Sequence, residues 1–148
     1  MLAECSRRGT VETGGILAGR YDAQLRIANV AIATAPPPDS RSGHAWFRRG
    51  TAGLQSLLEQ LWRTGDYYLG EWHYHPGGAP TPSRQDIDQM RAIASDRRYA
   101  CPEPVLVICG GSAPSFDHAA YVWERGNLIS LVKCHAPLPS PPTDPSTG

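Results

Sequence analysis

The sequence has no excess of charge and no long apolar run, and each absence narrows the possible functions. Its 148 residues include 14 Lys plus Arg and 14 Asp plus Glu, so the formal net charge is zero. Because phosphate backbones are bound by an excess of basic residues, this balance argues against nucleic acid as the main partner. No apolar run approaches the roughly 18 residues of a transmembrane helix. Residues 1–8 are charged and polar and do not resemble a signal peptide. We therefore expect a cytoplasmic protein with no membrane and no nucleic-acid partner.

Cysteine is also scarce. The chain has four cysteines, which lie far apart and form no Cys-x-x-Cys pair: Cys5, Cys101, Cys109 and Cys134. Paired spacing is the usual sign of a cysteine zinc site or a disulfide framework. We therefore predict that all four are reduced thiols and that neither kind of site is present.

The composition is that of an ordinary globular protein, with 41% hydrophobic and 19% charged residues. A chain of this length forms one domain with a real core. Residues 136–148 contain five prolines together with Ser, Thr and Gly, and no apolar pattern. The prediction is one domain over residues 1–135, followed by a proline-rich flexible tail over residues 136–148.

Apolar spacing predicts two main helices and a sheet. Leu54, Leu57, Leu58, Leu61 and Trp62 follow the spacing of one helix face, which predicts a helix over residues 51–63. A second helix is predicted from Ser83 to about Arg97, with Ile87, Met90 and Ala94 on one face. The predicted strands are residues 15–21, 24–34, 44–48, 67–75, 104–110, 118–124 and 128–134, and residues 35–43 are predicted to be a loop. The fold class is therefore α/β (mixed α+β), with a sheet packed against helices.

Two histidines and an aspartate are arranged as metal ligands. Residues two apart on a strand share a face, so His73 and His75 project the same way. Residues 76–82, with three prolines and two glycines, form a loop, and Asp86 falls on the first turn of the next helix. Its carboxylate can point back at both imidazoles. Two histidines and one aspartate leave one tetrahedral position open, which is typical of catalytic zinc.

The same residues have simpler interpretations. The sequence from Ser83 to Asp86 resembles a capping box, and Ser83 could both cap the helix and face the site. Glu71 shares the strand face of the histidines and could be a ligand by spacing alone, although a supporting or structural role fits it better. Trp72 and Tyr74 point to the other face and are predicted to be core. Three further histidines have no ligand-like neighbours and are expected on the surface or in packing: His44, His118 and His135.

Together these motifs resemble the JAMM signature of the JAB/MPN metalloprotease family. The matching stretches are residues 12–17, which read Glu-Thr-Gly-Gly-Ile-Leu, and residues 73–86, with His73-x-His75-Pro and Ser-x-x-Asp86. The resemblance implies a central mixed β-sheet flanked by two main helices. It implies that His73, His75 and Asp86 hold one zinc ion (Zn²⁺). It also implies that Glu12 is the general base and that Ser83 donates a hydrogen bond to the oxyanion.

The resemblance further implies a zinc isopeptidase or peptidase that cleaves after the C-terminus of a ubiquitin-like protein or a similar conjugated tail. Small prokaryotic relatives accompany E1- and E2-like enzymes in phage-defence operons, including ubiquitin-like and cyclic-nucleotide systems. Two departures from family domains concern the eleven residues before Glu12 and the short segment 98–104, where deubiquitinases often have a longer insertion. The first makes a truncated or misassigned start of the sequence the expectation, and the second makes a substrate other than ubiquitin the expectation.

Three alternatives remain open. The first is a peptidase that processes sulfur-carrier proteins, and the second is a catalytically silent MPN scaffold. The third is a relative associated with DNA repair, which the balanced charge and the Glu-Thr-Gly-Gly opening disfavour. In JAB relatives the region that matches residues 35–47 pairs with the substrate's tail as an added strand. The same docking is expected here.

Overall fold

The structure is a computed structural model and describes residues 1–24 and 26–132. The predictions for the tail (residues 136–148), for Cys134 and for His135 lie outside the described residues. None of the helices in the described ranges has the length and hydropathy needed to cross a membrane.

The described chain contains three α-helices and eight strands. The helices are α1 (Leu2–Arg8), α2 (Leu54–Arg63) and α3 (Arg84–Ser95), with a short 3-10 turn at Arg97–Tyr99. The strands are β1 (Thr13–Tyr21), β2 (Ala28–Ala33), β3 (Arg41–Ser42), β4 (Phe47–Arg48), β5 (Tyr67–Pro76), β6 (Val105–Ser112), β7 (Ser115–Glu124) and β8 (Asn127–Leu131).

Six of these strands form one mixed sheet in the order β2-β1-β5-β6-β7-β8. The pair β5 and β6 is parallel, and the other four neighbouring pairs are antiparallel. A parallel pair needs a crossover connection, and α3 provides it. The predicted fold class, α/β with a mixed sheet and two main helices, is confirmed, and α1 is an additional short helix.

Each face of the sheet carries its own apolar cluster. On the face of α2 and α3, Met90 and Ile93 of α3 pack against Ile16, Leu106 and Ile108. The opposite face, on the side of α1, is filled by residues that include Cys5, Leu17, Leu69, Trp72 and Tyr74. The register of β5 shifts near Gly70. From Glu71 to His75 successive residues alternate between the two faces, and this alternation decides which side chains can reach α3.

The structure corrects three predicted boundaries. The strand predicted from residue 24 begins only at Ala28, because the Asp22 carboxylate accepts the backbone N–H of Arg26 and of Ile27 and holds a wider turn. Helix α2 begins at Leu54 instead of residue 51, because Asp39 accepts the N–H groups of residues 51 and 52. Residues 35–48 were predicted as a loop and one strand, but they contain the small hairpin of β3 and β4.

One side chain predicted to be buried lies on the surface. Trp62 fits the apolar spacing of α2, yet it is 68% exposed. Its ring meets Tyr67 edge to face, with centroids 5.1 Å apart. The four leucines of the pattern are buried or pack against the core as predicted.

Candidate active site

Strand β5 presents His73 and His75 on the face that carries α3. The alternate residues Trp72 and Tyr74 are buried on the opposite face, with 0% and 1% of their surface exposed, as predicted. The side chains of His73 and His75 are 8% and 15% exposed. The two imidazoles therefore lie at the C-terminal end of a central strand, side by side and largely out of water.

The start of α3 brings Asp86 to both histidines. Ser83 caps the helix: its hydroxyl accepts the N–H of Asp86, and the Asp86 carboxylate accepts the N–H of Ser83 at 2.6 Å. The predicted capping box is therefore present. The same carboxylate contacts Nδ1 of His73 through Oδ1, and its Oδ2 lies 3.3 Å from Nε2 of His75. One carboxylate thus takes part in the N-terminal cap of α3 and joins the two histidines.

These three side chains fit a zinc ion by donor type. Donors about 2.0–2.1 Å from one tetrahedral ion lie roughly 3.3 Å from each other, which is the separation of His75 and Asp86. Asp86 touches His73 more closely than that. Within the described residues, no three His, Cys, Asp or Glu side chains stand at the spacing of ligands around an ion.

The electrostatics of the cluster favour a charged contact between His73 and Asp86. Burial by itself lowers the pKa of His73, but hydrogen bonds to Asp86 and Glu71 outweigh it and raise the pKa to about 9. Burial raises the pKa of Asp86, but its hydrogen bonds with His73, His75 and Ser83 outweigh that and hold the pKa well below the usual range. His73 and Asp86 therefore each stabilise the charged form of the other.

Glu71 supports His73 from the side away from Asp86. It is fully buried, and its Oε2 lies 3.2 Å from Nε2 of His73. Its Oε1 accepts a hydrogen bond of 2.6 Å from Arg49. Burial raises the pKa of Glu71, but the hydrogen bond with His73 and the Arg49 charge lower it overall. Glu71 therefore makes the kind of supporting contact that the sequence suggested for it.

Glu12 stands at the edge of this cluster, half-buried. It immediately precedes Thr13, the residue of β1 that pairs with Tyr74 between the two histidines. Its backbone N–H donates to the carbonyl of Gly43, 3.0 Å away. Burial raises the pKa of its carboxyl, an effect that the nearby charges of His75 and His73 oppose. A half-buried carboxylate within electrostatic reach of both imidazoles is suited to receive a proton.

Gly14 lets β1 and the β3–β4 hairpin close around His73. A Cβ at this position would lie 2.4 Å from the carbonyl of Trp72, 2.8 Å from the ring of Phe47 and 2.9 Å from the ring of His73. Phe47 itself meets His73 edge to face. The side chain of Gln85 donates to the carbonyl of Phe47 at 2.5 Å, which ties the hairpin to α3.

The predicted docking loop is less open than expected. Its Asp39 and Ser40 side chains hold the backbone of residues 50–52, and Arg41–Ser42 pairs with Phe47–Arg48. Of its side chains, Trp46 at the hairpin turn is large, apolar and 46% exposed. Whether a substrate tail pairs with this hairpin stays a prediction.

The structure brings all five predicted site residues together: Glu12, His73, His75, Ser83 and Asp86. It places the other two described histidines elsewhere. His44 contacts the carbonyl of Thr10, and His118 lies on β7. Sequence reasoning missed Arg49, Phe47 and Gln85. No local pattern marks them, because each reaches the site through a contact between distant parts of the chain.

The three described cysteines are buried and carry no disulfide, as predicted for them. Cys5 and Cys109 pack together in the cluster on the side of α1. A hydrogen bond with Cys109 and burial raise the pKa of Cys5 far above its usual range. Both thiols are therefore structural and lie on the face opposite the candidate site.

Comparison with known proteins identifies several relatives. The family described as prokaryotic homologs of the JAB domain matches residues 1–124. A protein of Enterobacter hormaechei subsp. hoffmannii (strain UCI 50) named CD-NTase/cGAS isopeptidase is 47% identical over 128 residues, which are 86% of this chain and 71% of that protein. A protein of the same name from Pseudomonas aeruginosa (strain BWHPSA011 / Pa011) is 26% identical over 100 residues, 66% of this chain and 62% of that protein.

A solved structure has the same fold. The solution structure of protein DSY2949 from Desulfitobacterium hafniense matches with a TM-score of 0.63 and 19% sequence identity. The match covers 88% of this chain and 82% of the other. At this identity the likeness concerns the fold alone.

Proposed function

This chain belongs to the prokaryotic homologs of the JAB domain, and on that premise we propose that it is a zinc-dependent isopeptidase. The reaction is hydrolysis of the amide between the C-terminus of a conjugated protein and an amine. The observation that carries the proposal is the position of Asp86. From the start of α3 its carboxylate reaches both His73 and His75, at the edge where Glu12 also lies.

His73, His75 and Asp86 would hold one zinc ion. Two imidazole nitrogens and one carboxylate are the donor set of catalytic zinc sites, in which a fourth position stays open for water or substrate. Bound zinc supplies Lewis acidity, which makes water more acidic and polarises the scissile carbonyl.

Glu12 is the proposed general base. Its carboxylate takes a proton from the attacking water as the new C–O bond forms, and gives that proton to the leaving amine as the C–N bond breaks. The raised pKa of its carboxyl suits this task, because a base whose pKa lies closer to neutral also returns the proton more readily.

Ser83 is the proposed oxyanion donor. In the structure its hydroxyl donates to Oδ2 of Asp86 at 2.7 Å. A serine hydroxyl has one hydrogen, so donation to the substrate requires that hydrogen to turn away from Asp86. The helix cap fixes the position of the oxygen throughout, since the N–H of Asp86 bonds to it.

The proposed substrate is a protein of the CD-NTase type conjugated through its C-terminus, within a bacterial antiphage system. Support comes from the 47% identical relative named CD-NTase/cGAS isopeptidase. E1- and E2-like enzymes that form the conjugate are the expected partners. A ubiquitin-like protein remains the broader class of substrate, and processing of sulfur carriers has less support, since both relatives carry the isopeptidase name.

The test uses a CD-NTase with its C-terminus joined to the lysine side chain of a fluorescent peptide, and the Enterobacter relative is assayed beside this protein. We expect the zinc-loaded protein to release the free peptide and an intact CD-NTase C-terminus, as mass spectrometry would show. Glu12→Gln should abolish release, and Glu103→Gln, an acidic residue away from the site, should not. If the relative cleaves this conjugate and the present protein does not, the proposed function is wrong.

A further inference from the structure

Arg49 and Glu71 form an ion pair that is buried directly behind His73. Their side chains are 4% and 0% exposed, and Nε of Arg49 lies 2.6 Å from Oε1 of Glu71. Removing two charges from water is unfavourable, and well-packed apolar residues of similar volume are often as stable or more so. The pair is therefore poorly explained by fold stability alone.

The two oxygens of Glu71 are divided between different tasks. Oε1 accepts a hydrogen bond from Arg49 and another, of 3.3 Å, from the hydroxyl of Tyr68. Oε2 faces Nε2 of His73 at 3.2 Å. With Oε1 held by its other partners, the carboxylate cannot turn away from the imidazole without losing them.

Arg49 is fixed in turn by both of its terminal nitrogens. One donates to the carbonyl of Gly50 at 2.9 Å, and the other donates to the hydroxyl of Tyr99 at 2.7 Å. All three guanidinium nitrogens therefore have a partner, and the planar group has one orientation. Arg49 also directly follows β4, so the hairpin and the histidine are joined through it.

We propose that Glu71 and Arg49 are positioning residues for the metal ligand His73. A carboxylate that accepts the N–H of a ligating histidine fixes its tautomer and ring orientation. In the zinc-bound site Glu71 would accept the hydrogen of Nε2, and Nδ1, the nitrogen on the side of Asp86, would be the ligating atom. The inference rests on the proposed zinc site and adds a chain of contacts from Arg49 through Glu71 to His73.

A double variant separates positioning from fold stability. Arg49→Met with Glu71→Gln removes both charges and roughly keeps the volumes, so no buried charge is left unpaired. We expect the metal-free double variant to fold, with a melting curve close to that of the wild type. Its zinc dissociation constant, measured by competition with a chelator, should rise by about 10- to 100-fold. The distant exposed pair, altered as Arg20→Met with Asp66→Asn, is the matched control and should bind zinc as the wild type does.

A second variant covers the case in which the double variant does not fold. Arg49→Lys keeps the buried positive charge but lacks the planar fork, so Glu71 loses its fixed orientation. We expect weaker zinc binding and shifted absorption bands of the cobalt(II)-substituted protein, because the ring of His73 moves. Arg20→Lys, at the exposed pair with Asp66, is the matched control and should leave both unchanged.

The outcomes are distinct. Absence of zinc from the wild type contradicts the proposed metal site itself. Wild-type zinc affinity and cobalt bands in both Arg49 variants show that the pair is only structural and overturn the inference. Loss of zinc as complete as in Asp86→Ala makes Glu71 a ligand and also overturns it. A fold-change of about 10 to 100 with a stable metal-free fold supports positioning.

Discussion

Phe47 meets the imidazole of His73 edge to face, with ring centroids 5.8 Å apart. Phe47 belongs to the β3–β4 hairpin, which is the element proposed to hold the substrate's tail. His73 belongs to the proposed metal site. A substrate that moves the hairpin therefore acts on a side chain in contact with a ligand, and variants of this hairpin must be chosen to spare Phe47.

Trp46 is a residue of the hairpin that can be substituted while Phe47 is kept. It is exposed at the turn of the hairpin, and its neighbour Phe47 contacts His73. Large exposed aromatic side chains often dominate protein contacts. We expect Trp46→Ser to raise KM for the conjugate by about tenfold, with little change in kcat or zinc content. Trp62→Ser, an exposed tryptophan on α2, is the control, and an equal effect in both variants would argue against docking at the hairpin.

The metal ligands can be tested without any substrate. His73→Ala and Asp86→Ala should each lose most of the single zinc ion per chain, measured by elemental analysis after dialysis. His118→Ala and Asp88→Ala change an exposed histidine and an exposed aspartate and should keep it. Stoichiometric zinc in the two ligand variants would mean that the ion binds elsewhere.

Ser83 has two roles that one substitution can separate. Glycine is tolerated at a helix N-cap at a cost of roughly a few tenths of a kcal/mol, whereas the hydroxyl donor is lost. We expect Ser83→Gly to fold and bind zinc normally while kcat falls on the order of a hundredfold or more. A near-normal kcat would limit Ser83 to capping, the role that the structure already gives it.

Any side chain at the position of Gly14 is expected to disturb the site by steric collision. A methyl group there would collide with the carbonyl of Trp72, which belongs to the backbone and cannot move freely. We expect Gly14→Ala to lower the free energy of unfolding by roughly 1–3 kcal/mol and to weaken zinc binding through displacement of His73. Gly78→Ala is the control, since its Cβ would meet no atom nearer than 3.7 Å. Equal stability of both variants in chemical denaturation would contradict this account of the packing.

The sequence was sufficient to predict the convergence of His73, His75 and Asp86. Strand periodicity puts the two histidines on one face, and a helix start after the proline-rich loop brings Asp86 back to them. The main helices and most strands followed from apolar spacing in the same way, whereas the mixed sheet was implied by the family resemblance. Apart from the mixed sheet, these predictions rest on the spacing of residues along a single helix or strand, which can be recognised from the sequence alone.

Contacts between distant residues were not predictable. Arg49 bonds to Glu71 from 22 positions away, and nothing beside either residue signals the partner. The late start of β2 depends on the side chain of Asp22 competing for backbone groups. The sequence did not predict helix α1. Of its seven residues Cys5 alone is buried, and a single buried position gives no periodic apolar pattern.

The most direct test of the proposed zinc isopeptidase is reconstitution of activity with metal. The protein would be stripped of metal with a chelator and assayed on the lysine-linked CD-NTase conjugate while zinc is added back. The account predicts no cleavage without metal and a linear rise that reaches its plateau at one zinc per chain, with Glu12→Gln inactive at every point. Cleavage by the metal-free protein at the full rate would contradict it.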